Sequence, residues 1–85
     1  MRPKKLLRRL TAGDHSNVKF GDLQRLAEAC GFELDRVAGS HHIYSHPTAA
    51  VKLNLQIVAG EAKPYQARQL LRLIDRYALF PEELR

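Results

Sequence analysis

The stretch Val51-Lys52-Leu53-Asn54-Leu55-Gln56-Ile57 alternates without a break. Side chains on a strand point to opposite faces in turn, so Val51, Leu53, Leu55 and Ile57 share one face and Lys52, Asn54 and Gln56 the other. A strand with one dry and one wet face belongs to an antiparallel sheet covered on a single side. Two more strand-like runs lie upstream: residues 32–37, ended by Ala38-Gly39, and residues 40–46, ended by Pro47. Residues 47–50 make the next connection. Connections this short predict an antiparallel meander.

Helical patterns flank the three strands. Residues 20–29 carry Leu23, Leu26, Ala27 and Cys30 at i, i+3, i+4 and i+7, with Gly31 placed to end the helix. Residues 64–78 begin at Pro64, which suits a first helical turn. Their core stripe is Ala67, Leu70, Leu71, Ile74 and Ala78, and Arg68, Arg72 and Arg76 line the opposite face. A further short helix, residues 3–11, puts Leu6, Leu7 and Leu10 on one side and Lys4, Lys5, Arg8 and Arg9 on the other. The turn-rich run Thr11-Ala12-Gly13-Asp14-His15-Ser16-Asn17 reads as a linker. The expected fold class is α+β: an α-β-β-β-α unit with a three-stranded antiparallel sheet and helices on one face, plus an extra N-terminal helix. Double-stranded-RNA-binding domains share this element order.

At 85 residues the chain is sized for one small domain with two packed layers. Its formal net charge of +5 favours a polyanionic partner, whether nucleic acid, an acidic protein or an anionic membrane surface. Three leucines over nine residues offer little apolar area for a membrane, and no run approaches a transmembrane span. With Cys30 as the single cysteine no intrachain disulfide framework exists, and a cytoplasmic protein is the expectation.

Three of the four histidines fall within six positions, in Gly39-Ser40-His41-His42-Ile43-Tyr44-Ser45-His46-Pro47. Strand alternation places His41, Ile43 and Ser45 on one face and His42, Tyr44 and His46 on the other. His42 and His46 share a face but stand roughly 13 Å apart along a strand, too far to chelate one ion. No metal site and no cofactor are therefore expected. Two registers compete for the core, and Tyr44, the largest apolar body of the run, is the better candidate to fill it. If Tyr44 points inward, His41 lies on the open face; if Ile43 points inward, His41 sits next to the core. In the first case His41 is either a solvated histidine or a proton-transfer group acting on RNA. A neutral imidazole takes the proton of a ribose 2′-hydroxyl, or an imidazolium protonates the leaving 5′-oxygen. Lys52 on the same face and Ser40 beside His41 are candidates to hold the phosphate. Lys63, Arg68 and Arg72 are candidates for further RNA contacts. His15 and His42 are the weak candidates for a second acid or base.

The stretch at residues 20–47, with Gly-Phe-Glu-Leu-Asp-Arg at 31–36 leading to Gly39-Ser40-His41-His42, resembles the HicA family of toxins from type II toxin–antitoxin systems. The run Gly60-Glu61-Ala62-Lys63-Pro64-Tyr65, entering a leucine-rich helix, looks like the end of the same family. The resemblance covers residues 18–79. It implies a double-stranded-RNA-binding-like fold and an endoribonuclease that cleaves mRNA without a metal. It also implies that the histidine of the Gly-Ser-His motif, here His41, is catalytic. The implied partners are RNA and a HicB-like antitoxin that masks the site, with a monomer expected when free. Residues 1–17 are extra to the compact members of the family, and residues 80–85 form a longer tail. A non-catalytic RNA-binding module on the same sheet is the rival reading, and a domain binding only an acidic protein is the third.

Overall fold

Pro3 opens the first helix, α1 (Pro3–Thr11). The structure, a computed structural model, describes residues 1–81; beyond Pro81 the expected tail lies outside the described residues. The chain continues through β1 (Val18–Lys19), α2 (Phe20–Ala29), β2 (Glu33–Ala38), β3 (His41–Ser45), β4 (Lys52–Val58), β5 (Glu61–Ala62) and α3 (Pro64–Tyr77).

The meander β2-β3-β4 is antiparallel throughout, as its short connections predict. The sheet is wider than expected, however. It has five strands in the order β1-β5-β4-β3-β2, not three. The added strands β1 and β5 hold two residues each, too few to display a period in the sequence. They pair with each other, Val18 opposite Ala62, and β5 pairs with the end of β4. A bulge falls between Leu34 and Arg36 on β2.

One apolar cluster joins both layers. Leu23, Leu26 and Ala27 of α2, and Ala67, Leu70 and Ile74 of α3, pack with Tyr44, Leu53 and Leu55 of the sheet. The opposite face, carrying Lys52 and Asn54, stays exposed. Helix α1 joins this core instead of standing apart: Leu6, Leu7 and Leu10 are buried within the same cluster, and α1 packs on α2 and α3. Its apolar stripe is consumed by the fold, which leaves nothing for a lipid surface. No helix is long and apolar enough to cross a membrane among the described residues. Arg9 pairs with Asp14 at 3.3 Å and donates to the Ser16 carbonyl, drawing the connecting turn back onto α1.

The last helix ends one residue early. Ala78 adopts a left-handed conformation (φ 52°) and is exposed, so it caps α3 and does not extend the core stripe. Leu79 then returns to the core, its N–H bonded to the Ile74 carbonyl at 2.9 Å.

An ion pair links the starts of α1 and α2. Asp22 accepts from the Met1 ammonium at 2.9 Å and from Arg25 at 2.6 Å. The ammonium hydrogen bond, opposed by burial and helped by Arg25, holds the Asp22 carboxyl below its ordinary value of 3.8. A carboxyl lowered in the folded state stabilises fully above its unfolded value and loses that contribution as pH falls through the native one. Asp22→Asn is expected to cost about 1 kcal/mol at neutral pH. Urea unfolding in acid, below the native value, should show the variant and the parent converging.

Candidate active site

The clustered histidines occupy three different environments. His46 is buried at the end of β3. Its Nδ1 accepts from the N–H of Ala49 at 3.1 Å and of Thr48 at 3.3 Å, which places the proton on Nε2. Nε2 then donates to the Cys30 carbonyl at 3.0 Å, and the ring meets Phe32 edge-on with centroids 5.2 Å apart. His46 thus ties the β3–β4 turn to the end of α2. That end is a Schellman turn: Gly31 N–H bonds to the Glu28 carbonyl and Phe32 N–H to the Ala27 carbonyl, each at 3.0 Å. Gly31 has φ +98°, and a Cβ there would lie 2.7 Å from His46 Nε2. Gly31→Ala therefore meets both backbone strain and a collision, and is expected to lower stability by about 2–3 kcal/mol. A fall of several degrees in Tm would register it; an unchanged Tm would refute the account of this turn.

His42 points inward, half-buried, with its ring 4.8 Å from Phe20 in an edge contact. Its Nδ1 is buried with no hydrogen-bond partner among the described residues. Tyr44 is fully buried, so the register that turns it inward is the one adopted. Gln24 donates to its hydroxyl at 2.9 Å, while burial pushes that phenol above its ordinary range.

His41 is therefore left alone on the open face and is exposed. Across β4 it stands opposite Gln56, with Asn54 diagonal to it. His41 Nδ1 lies 3.1 Å from Asn54 Oδ1. Ser40, just before it, accepts from Gln56 Nε2 at 3.3 Å. Across β2 the partner of His41 is Ala38. Ser40, His41, Asn54 and Gln56 together make a small polar cluster at one end of the sheet.

The other sequence candidates are dispersed. Lys52 shares the open face but sits opposite Ser45, four residues along from His41. It pairs with Asp35 at 3.7 Å, and Asp35 also accepts from Ser45 at 3.0 Å. Lys63 lies nearer the His41 end, since it follows Ala62, which pairs with Ile57. Arg68 and Arg72 are exposed on α3, in the helical layer. His15 is engaged elsewhere, its Nε2 3.0 Å from the Leu10 carbonyl at the end of α1. Among the described residues no three His, Cys, Asp or Glu side chains are grouped to hold a metal ion.

Sequence reasoning placed Asn54 on the wet face without joining it to His41. The signal was present in the alternation of two neighbouring strands, but joining the residues needs the register across residues 47–50. That register depends on the turn held by His46. Gln66 carried no signal at all. Its buried amide spans the Gln56 backbone, with Nε2 donating to the carbonyl at 2.9 Å and Oε1 accepting from the N–H at 2.7 Å.

No curated protein matches the chain, and no solved structure does. The model of a protein family, the HicA toxin of bacterial toxin–antitoxin systems, matches residues 20–75. That span runs from the first residue of α2 almost to the end of α3 and holds the whole polar cluster on the open face. The chain belongs to the HicA toxin family.

Proposed function

We propose that this HicA-family chain is an endoribonuclease that cleaves mRNA without a metal, with His41 as the proton-transfer group. The observation that carries the reading is the placement of His41. It is the histidine of the cluster that stands exposed on the open face, with a polar partner on its inner nitrogen. Ser40 beside it offers a hydroxyl to a phosphate, and Lys63 and the α3 arginines extend the positive potential that draws a polyanion. A HicB-like antitoxin covers the open face and neutralises the toxin in the cytoplasm, where the free toxin is a monomer.

The test is made in cells. Induction of the protein should arrest growth and shorten mRNA, induction of His41→Ala should do neither, and a co-expressed HicB-like partner should relieve the arrest. Arrest that persists with His41→Ala at equal protein levels would overturn the reading.

A further inference from the structure

We infer that His41 acts as a base through Nε2 and that Asn54 is its positioning residue. This rests on the ribonuclease reading above and goes beyond it, because an exposed imidazole alone can react through either nitrogen. The contact that selects the reacting nitrogen is His41 Nδ1 to Asn54 Oδ1 at 3.1 Å. A carboxamide oxygen only accepts, so Nδ1 carries the hydrogen and the lone pair of the neutral ring sits on Nε2. The opposite amide orientation would reverse this, putting the proton on Nε2.

The partner is an amide, not a carboxylate. It fixes the tautomer without placing a formal charge beside the ring. The neighbours of His41 keep to the same rule: Ala38 opposite it on β2 and Gln56 opposite it on β4 are both uncharged. On β2, β3 and β4 the charged groups of that face lie further along, while Glu61, opposite Val58, and Lys63 are the charged residues towards the His41 end. Arg36 stands opposite Ile43, Glu33 and Lys52 stand opposite Ser45, and Asp35 pairs with Lys52.

The step then balances as follows. Nε2 takes the proton of the ribose 2′-hydroxyl, and the 2′-oxygen forms a bond to the adjacent phosphorus. The bond from phosphorus to the 5′-oxygen breaks, and that oxygen takes a proton from solvent water. The products are a 2′,3′-cyclic phosphate and a 5′-hydroxyl, and the imidazolium returns its proton to water. Gln56 donates to Ser40 Oγ, so the Ser40 hydroxyl hydrogen is left to donate to a non-bridging phosphate oxygen.

Three proteins test the inference: wild type, Asn54→Leu and Asn54→Asp, with RNA and with the same RNA carrying a 2′-deoxy sugar at the cut. Long-range proton–nitrogen spectra should show hydrogen on Nδ1 of His41 in the wild type, and its loss to Nε2 in Asn54→Leu. Asn54→Leu should melt like the wild type yet cut about 10- to 1000-fold more slowly, as expected for losing the group that sets a catalytic tautomer. Asn54→Asp restores the acceptor and should regain most of the rate. Its added charge favours the imidazolium, so the acid limb of its rate profile should move to higher pH. The deoxy substrate should stay intact. Hydrogen on Nε2 in the wild type, or Asn54→Leu cutting at the wild-type rate, would overturn this inference while leaving the ribonuclease reading in place. A wild-type protein that leaves RNA intact would overturn that reading and the base assignment with it.

Discussion

Purified His41→Ala is expected to cut RNA about 10²- to 10⁴-fold more slowly than the wild type, the span over which a positioned acid or base contributes to rate. Chelator in the buffer should change neither rate. Stability should barely move, because His41 is exposed on the sheet and its side-chain hydrogen bond, to Asn54, is itself at the surface. RNA binding should persist and weaken with salt, since Ser40, Lys63, Arg68 and Arg72 are untouched. Initial rates on a labelled RNA, a melting curve and a binding titration at two salt concentrations measure all three. The non-catalytic RNA-binding reading expects the same binding but no fragments from either protein. Equal cleavage by both proteins would remove His41 from the chemistry.

Gln66→Leu is expected to lower the unfolding free energy by about 2–4 kcal/mol. The side chain is buried in the first turn of α3, and its amide closes a gap in the sheet. Strand β5 ends at Ala62, opposite Ile57, so the Gln56 backbone has no strand beside it on that side. The Gln66 amide supplies both missing bonds. Leucine matches the volume and leaves a donor and an acceptor of Gln56 unpaired, each costing about 1–3 kcal/mol. Because Gln56 also orients Ser40, cleavage should fall along with stability. Urea unfolding gives the first number and rates at a temperature where both proteins are folded give the second. A variant as stable as its parent would show that water serves Gln56 equally well.

The sequence was most legible where one period ran long enough to be counted. The helices at 3–11 and 20–29 have the expected bounds, and the three meander strands fall within one residue of theirs. Tyr44 shows how far patterning alone reaches: two registers were open, and its size favoured the inward one that the fold adopts. Lys52 shows the limit. Alternation put it on the right face, but only strand pairing reveals that it stands opposite Ser45 and beside Asp35. His46 and Gln66 were illegible for a different reason. Each bonds to backbone from a distant segment, and side-chain identity gives no notice of such a contact. Two-residue strands lie below any period, so β1 and β5 could emerge only with the tertiary structure.

The pairing of Val18 with Ala62 spans more than half the chain. The contacts of the β2-β3-β4 meander, by contrast, join near neighbours in sequence. Ordering the intervening chain costs entropy that grows with its length, so among the ladders of the sheet the two-residue latch is expected to close last during folding and to open first afterwards. Phe20 follows that latch directly and is the residue against which His42 rests. The molecule is in this sense a strip buckled end to end. The buckle sits beside the end of the sheet that presents His41, so the last ladder of the sheet to close and the candidate chemistry mature together.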